Sequence, residues 1–205
     1  MILIGQYDSP FVRRVGVALR LYGLDYAHRL WSTFGDAEQL AEFNPLRRVP
    51  TLVLDDGEVL IESGAILDHL DEIAAGPPLL ARSGRDRRAA LKICALGSGL
   101  ADKAVTLVYE RVLHETTSPL WVGRCQTQIA AVLDALDAAR GPTPFWFGDR
   151  INHADIMVAC ALRFLREAHA TLFDPARWPK LTAHARTCEA LGAFQAVTQV
   201  FDPPK

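Results

Sequence analysis

The pattern of apolar and polar positions changes near residue 77 and divides the chain into two parts. Before that point, short apolar runs alternate with helical patterns. Residues 1–7 form an apolar run that predicts a strand. The apolar positions of 10–22 share one face of a helix: Phe11, Val15, Ala18, Leu19 and Tyr22. Alternation over 25–30 predicts a second strand, so this stretch is a βαβ unit with parallel strands.

The next residues complete a small mixed sheet. Asp36 can begin a short helix, and a strand over 51–54 is followed by a hairpin turn, Asp-Asp-Gly, and a return strand over 59–61. Ser63 can cap a further helix, which ends at a Gly-Pro-Pro sequence. The predicted order βαβ, α, ββα is that of a thioredoxin-like α/β domain.

After residue 77 the strand patterns disappear and helical patterns follow one another. One long helix is predicted around 90–107, and a helix over 156–165 is apolar on nearly every side, which predicts a buried central helix. Asn152 and Asp155 have the spacing of a capping box that would start it. The sequence therefore predicts a thioredoxin-like domain over 1–76, a linker over 77–85 and an all-α helical domain over 86–205.

The charge balance argues against a nucleic-acid binder. The 205 residues include 22 Lys and Arg against 24 Asp and Glu, for a net charge of −2. Proteins that bind nucleic acid show a basic excess or a basic stripe. The adjacent arginines at 13–14, 47–48 and 87–88 are interpreted as solvated faces, unless one pair sits in a cleft.

The cysteines and the hydropathy indicate a reducing, cytoplasmic location. The four cysteines lie far apart in the sequence and have no metal-type spacing, so we expect inert core thiols and no metal. No signal peptide is apparent at the N-terminus. No apolar run approaches the length of about 18 residues that a membrane span needs, so no membrane partner is expected.

The start of the first helix is the strongest candidate site. Ser9 suits the N-cap position, because its hydroxyl can accept a hydrogen bond from an N–H of the first turn. Pro10 suits the next position, where no N–H is needed. A hydroxyl held at the positive end of a helix favours an anion.

Four short motifs resemble those of the cytosolic glutathione transferase superfamily. Ser9-Pro10-Phe11 with Arg14-Val15 is similar to the active-site stretch of serine-type members, such as the tau, theta and zeta classes and bacterial relatives. The other three are NPLRRVPTL over 44–52, Glu62-Ser63, and GDRINHADI over 148–156. Their order and spacing match that family across essentially the whole chain.

The resemblance implies that the anion is the thiolate of glutathione, the expected co-substrate. Ser9 would donate a hydrogen bond to the sulfur. Tyr7 is the alternative donor, since other classes use a tyrosine near the end of the first strand. A cysteine thiol titrates near pH 8.5, and lowering that pKa by about two units takes roughly 2.7 kcal/mol of preference for the anion.

The same resemblance implies how the rest of glutathione is held. The bond between Val49 and Pro50 resembles one that is cis in this family. The backbone of Val49 would pair with the cysteinyl backbone of glutathione. The γ-glutamyl end carries an ammonium, which suits Glu62, and a carboxylate, which suits Ser63. Arg48 stands where the family usually has lysine and would reach the glycyl carboxylate. Its neighbour, Arg47, is the less favoured choice.

These observations predict a glutathione S-transferase that acts on an electrophilic small molecule, and the resemblance implies a homodimer with a role in detoxification. The nearest enzyme alternatives are a glutathione-dependent isomerase and a dehalogenase on the same scaffold. Disulfide reduction is disfavoured, because Ser9 and Val12 stand where redox relatives carry cysteines. The alternative from a different class is a catalytically silent glutathione-binding or interaction protein, since fold does not guarantee chemistry.

Overall fold

The computed structural model describes residues 1–203, which form two compact units. The first comprises Met1–Leu79 with Gly192–Gln199, and the second comprises Leu80–Leu191 with the described residues from Val200 onward. The segment 192–199, which the sequence assigns to the helical domain, thus packs in the first unit. The predicted boundaries at residues 76 and 86 stay predictions. Pro204 and Lys205, the end of the predicted helical domain, lie outside the described residues.

The first unit contains a four-stranded mixed sheet with three helices that follow its strands. Its elements are β1 (Ile2–Ile4), α1 (Pro10–Tyr22), β2 (Ala27–Arg29), α2 (Ala37–Ala41), β3 (Thr51–Val53), β4 (Val59–Ile61) and α3 (Ser63–Ile73). The strand order is β2-β1-β3-β4. Strand β1 pairs in parallel with β2 and antiparallel with β3, and β3 pairs antiparallel with β4. The predicted thioredoxin-like domain is confirmed.

Helix α1 begins and ends at the residues that its sequence indicates. The Ser9 hydroxyl accepts a hydrogen bond from the Val12 N–H at 3.4 Å, and Pro10 occupies the first helical position. Gly23 closes the helix in the left-handed conformation, at φ 65°, which glycine adopts at no steric cost. Local sequence alone therefore places this helix correctly.

Two of the element boundaries that differ from the prediction are explained by backbone conformation. Strand β1 ends at Ile4 instead of residue 7, because Gly5 has φ +131° and turns the chain away from the sheet. Ser63 is the first residue of α3 instead of its N-cap. Glu62 takes the cap position at φ 69° and makes no side-chain cap bond.

The interpretation of Arg13 and Arg14 as a solvated face is wrong. Their side chains are 1% and 7% exposed. The Nε and Nη2 groups of Arg13 donate to the carbonyls of Val197 at 2.8 Å and Phe194 at 3.2 Å. A buried guanidinium is tolerated where backbone carbonyls or hydroxyls accept from it, and these acceptors lie far along the chain. The short-range pattern therefore gave no sign of them.

The second unit is helical. Its elements are α4 (Gly84–Leu113), α5 (Pro119–Ala139), α6 (His153–Ala168), a 3₁₀ turn (Ala170–Leu172) and α7 (Pro179–Glu189). The last helix, α8 (Gly192–Gln195), belongs to the first unit. Both halves of the predicted capping box form at Asn152 and Asp155, and α6 is buried along most of its length. Across residues 1–203, no helix combines the length and apolarity needed to cross a membrane.

A buried polar cluster anchors the start of α6. One oxygen of Asp155 accepts the Trp146 N–H at 2.7 Å and the other accepts the Asn152 N–H at 2.9 Å. His184 Nδ1 lies 3.8 Å from Asp155 Oδ1 and accepts a hydrogen bond from Arg140 Nε at 3.4 Å. Burial raises the pKa of Asp155 to about 6. Burial, with the charge of Arg140, lowers the pKa of His184 to about 4, so this contact is not an ion pair at neutral pH.

This cluster predicts a pH-dependent contribution of His184 to stability. The folded state keeps the imidazole neutral, whereas the unfolded state binds a proton below pH about 6.5. We expect the difference in the free energy of unfolding between the wild type and His184→Gln to be constant above pH 6.5. This difference should fall by up to about 3 kcal/mol as the pH drops from 6.5 to 4.

Urea unfolding followed by circular dichroism across this pH range provides the measurement, with His114→Gln as the matched surface control. A difference curve for His184→Gln that does not vary with pH would contradict a buried neutral imidazole.

Candidate functional site

The turn between β1 and α1 packs directly against the loop that precedes β3. A Cβ atom built on Gly5 would lie 2.6 Å from Val12 Cγ2 and 2.8 Å from Val49 Cβ. Real side chains do not approach so closely, so only glycine allows this contact. The first turn of α1 and the backbone at Val49 are therefore held together, although 37 residues separate Val12 from Val49 in the sequence.

Ser9 lies at the N-terminus of α1 with its hydroxyl half-buried. The oxygen accepts from the Val12 N–H, and the Ser9 N–H donates to the Gln6 carbonyl at 3.1 Å. A serine hydroxyl can also donate one hydrogen bond. Among residues 1–203, no acceptor is in place for the Ser9 hydroxyl hydrogen. The structure thus leaves one donor available at the positive end of the helix.

The hydroxyl of Tyr7, the alternative donor, is used within the first unit. It lies 2.7 Å from the Tyr26 hydroxyl, and the Tyr7 ring stacks on His28 with ring centroids 3.9 Å apart. Burial, and then the hydrogen bond with Tyr26, raise the pKa of Tyr7 above its ordinary value. The side chain is 9% exposed. Tyr7 therefore forms part of the core beneath the turn.

The Val49–Pro50 peptide bond is cis. The buried side chain of Asn44 holds this loop: its amide donates to the Arg48 carbonyl at 2.8 Å and to Thr51 Oγ1 at 3.1 Å. Within the described part of the chain, the N–H and carbonyl of Val49 make no backbone hydrogen bond. They are available to pair with an extended peptide backbone.

Glu62 and Ser63 lie at the start of α3, where a buried arginine reaches them. Arg14 Nη2 donates to Ser63 Oγ at 2.5 Å, and Ser63 Oγ donates to Glu62 Oε1 at 3.2 Å. The Glu62 side chain is exposed, and its backbone has φ 69°, an unusual value for a residue with a side chain. Strained backbone of this kind clusters at functional sites. The pair combines a carboxylate with a hydroxyl at a helix N-terminus.

The two adjacent arginines of the loop differ in their partners. Arg47 Nη1 forms an exposed ion pair with Glu38 at 2.8 Å. The Arg48 side chain is exposed, and within residues 1–203 it makes no hydrogen bond or ion pair. Arg48 therefore remains available for a carboxylate ligand. No group of three or more His, Cys, Asp or Glu in the described chain could hold a metal ion.

Sequence reasoning assigned no role in the site to three residues that shape it: Gly5, and Arg14 and Asn44 of the quoted motifs. Gly5 allows the close contact of α1 with Val49, Arg14 joins α1 to Ser63, and Asn44 holds the loop of Arg48. A glycine inside the predicted strand 1–7 was a usable signal, because glycine there often marks a bulge or a close approach of another backbone. The partners of Asn44, which are Arg48 and Thr51, lie in the same motif and were within reach of sequence reasoning. The partner of Arg14, Ser63, lies 49 positions away, which local patterns do not show.

Comparison with known proteins matches both parts of the chain to domains of the same family. Residues 3–78 match the model of the glutathione S-transferase N-terminal domain and residues 119–187 match that of the C-terminal domain. The chain is 32% identical over 205 residues to a maleylacetoacetate isomerase from Pseudomonas aeruginosa, covering 95% of this chain and 94% of that protein.

Two solved structures are similar along the full chain. One is a glutathione S-transferase from Methylobacterium radiotolerans in complex with glutathione sulfonate, with a TM-score of 0.93, 27% identity and coverage of 100% and 97% of the two chains. The other is a glutathione transferase family member from Pseudomonas fluorescens Pf-5 with bound glutathione, with a TM-score of 0.84, 30% identity and coverage of 100% and 99%.

Proposed function

Because the chain belongs to the glutathione S-transferase family, we propose that it activates the thiol of glutathione for attack on an electrophilic small molecule. The observation that carries this proposal is the Ser9 hydroxyl, which keeps a donor available at the N-terminus of α1. The serine-type assignment is supported by the inward-facing hydrogen bond of Tyr7.

In this proposal, Ser9 stabilises the thiolate of glutathione. A hydrogen bond to a charged group contributes about 1.5–3 kcal/mol, and a helix N-terminus adds about 0.3–1 kcal/mol. Their sum matches the roughly 2.7 kcal/mol that lowers a thiol pKa by two units. The thiol proton leaves to solvent, and the sulfur then forms a bond to the electrophilic carbon. With an aryl halide, the carbon–halogen bond breaks and halide leaves with the electron pair.

The remaining candidate residues fit the parts of glutathione. We propose that the Val49 backbone pairs with the cysteinyl unit and that Ser63, through its backbone N–H at the N-terminus of α3, holds the γ-glutamyl carboxylate. The Ser63 hydroxyl already donates its hydrogen to Glu62. Glu62 binds the γ-glutamyl ammonium, and Arg48 reaches the glycyl carboxylate with its planar guanidinium. All of these residues belong to the first unit, so one compact body can hold the whole tripeptide.

The carboxylate of Glu62 gives a test of this binding scheme. Glu62→Gln removes the charge but keeps an oxygen that can accept from Ser63. We expect the dissociation constant of glutathione to rise about tenfold, through loss of roughly 1.4 kcal/mol of charge-assisted binding. Isothermal titration calorimetry provides the measurement, and Glu58→Gln, an exposed carboxylate on the neighbouring hairpin, is the control. An unaltered dissociation constant in Glu62→Gln would remove Glu62 from the site.

Glutathione-dependent isomerisation is the second candidate function, favoured by the relative named maleylacetoacetate isomerase. The same thiolate would add to the substrate and leave again, so glutathione would not be consumed. Retention on immobilised glutathione followed by turnover of a model aryl halide tests transfer. Consumption of glutathione separates transfer from isomerisation, and retention without either reaction would support the catalytically silent alternative.

The cellular setting and assembly follow from the same proposal. Within the described residues none of the four cysteines forms a disulfide, which fits a reducing compartment, and we propose a cytoplasmic location. We also propose that the protein is a homodimer, as the family resemblance implies, and that it takes part in detoxification.

A further inference from the structure

The terminal segment, Gly192–Gln199, is built into the first unit. Phe194 and Val197 are fully buried. Arg13, in the first turns of α1, donates to the carbonyls of both residues, and its guanidinium lies over the Phe194 ring at 5.4 Å from the centroid. The segment is thus attached to the helix that begins at Ser9 by apolar contact and by a buried cation.

The contact between α1 and the terminal segment leaves no room for a side chain at Gly16. A Cβ atom built on Gly16 would lie 2.9 Å from Tyr7 Cε1 and 2.9 Å from Val197 Cγ1. The absence of a side chain at Gly16 therefore lets α1, Tyr7 and the terminal segment meet. Any displacement of the segment would therefore move Tyr7, which lies two residues before Ser9.

The last residue of the segment makes a direct hydrogen bond to that turn. Gln199 Oε1 accepts the backbone N–H of Tyr7 at 2.9 Å, across 192 residues of sequence. Strand β1 has already ended at Ile4, so this N–H has no partner in the sheet. A partly buried N–H that loses its acceptor is costly, and the backbone would have to move to find another.

The turn that carries Ser9 is therefore held at two points. Within the turn, the Ser9 N–H donates to the Gln6 carbonyl. From outside, Gln199 fixes the peptide between these two residues. The direction of the Ser9 hydroxyl depends on this backbone, because the Ser9 cap bond to Val12 is long, at 3.4 Å, and does not fix it alone.

We propose that Gln199 is a positioning residue for Ser9: its side-chain oxygen holds the Gln6–Ser9 turn in the geometry that directs the serine hydroxyl at the thiolate. This inference rests on the proposed function. It assigns to a residue near the end of the chain a role in a site otherwise formed by the first 63 residues.

The test replaces Gln199 by methionine, which has a similar length and no oxygen. The apparent pKa of bound glutathione is followed by the ultraviolet absorbance of its thiolate. We expect this pKa to rise by about one pH unit and kcat/KM for a model aryl halide to fall about tenfold, because misplaced catalytic groups lose rate steeply. Gln126→Met, an exposed glutamine of α5, is the control. Gln199→Asn, whose amide is too short to reach Tyr7, should change both quantities in the same direction.

The outcomes separate a positioning role from a structural one. A lower unfolding midpoint with an unchanged thiol pKa in both Gln199 variants would mean that the residue only stabilises the fold, and would overturn the inference. An unchanged pKa with unchanged kcat/KM would also overturn it. The wild type distinguishes the two proposals: if its bound thiol titrates like free glutathione, the proposed function fails. If its pKa is lowered and the variants match it, only the role of Gln199 fails.

Discussion

Replacing Ser9 by alanine should lower kcat/KM for a model aryl halide by about 10²-fold, the usual effect of removing one donor aimed at developing charge. The backbone of the Val49 loop and the start of α3 are unaffected, so at pH about 5.5, where bound glutathione is mostly a neutral thiol in both proteins, its dissociation constant should stay within about twofold. Steady-state kinetics and calorimetry on the same preparation provide the measurement. Unchanged kcat/KM would remove Ser9 from the chemistry.

The loss of a helix cap has to be separated from the loss of a catalytic donor. Ser118→Ala is a matched control, because Ser118 caps α5 through a bond to the Trp121 N–H at 3.4 Å, the distance found at Ser9. Both variants should lose about 1 kcal/mol of stability. Only Ser9→Ala should lose activity. An equal loss of activity in the two variants would mean that capping alone explains the effect.

Replacing Gly5 by alanine should damage both the fold and the site. The added methyl would clash with Val12 and Val49, and φ +131° is strained for any residue with a side chain. We expect a loss of about 3 kcal/mol in the free energy of unfolding. Because the clash pushes the Val49 backbone away from α1, glutathione binding should also weaken more than about tenfold. Chemical unfolding and calorimetry check the two effects.

Gly57→Ala separates backbone strain from the clash. Gly57 has φ +92°, and a Cβ atom there would meet nothing within 4 Å. It should lose stability through strain alone, by about 1 kcal/mol, and keep its affinity for glutathione. If Gly5→Ala behaved like Gly57→Ala in both respects, the coupling of α1 to the Val49 loop would be disproved.

Local signals were sufficient for most of the fold. Ser9, Pro10 and Gly23 place the ends of α1, because capping depends on neighbours within one turn. Asn152 and Asp155 place the start of α6 for the same reason. The pairings of β1 with β2 and of β3 with β4 follow from the βαβ unit and the hairpin, whose connections are short. These features could be predicted since their partners lie close in sequence.

Contacts between distant residues could not be predicted in the same way. Arg13 and Arg14 look like a charged surface pair until their acceptors are known, and those acceptors are Phe194, Val197 and Ser63. The sequence assigns the terminal segment to the helical domain, and only packing assigns it to the first unit. The candidate site therefore includes residues outside the recognised motifs, and these residues hold the motif residues in place.

The most direct test of thiolate stabilisation by Ser9 is a pH titration of glutathione bound to the wild type and to Ser9→Ala. Thiolate absorbance reports the ionised fraction. An ordinary thiol titrates near pH 8.5, and we predict a pKa about two pH units lower when glutathione is bound to the wild type. In Ser9→Ala most of that difference should disappear. A wild-type value equal to that of free glutathione, or the same lowered value in both proteins, would contradict the assignment of Ser9.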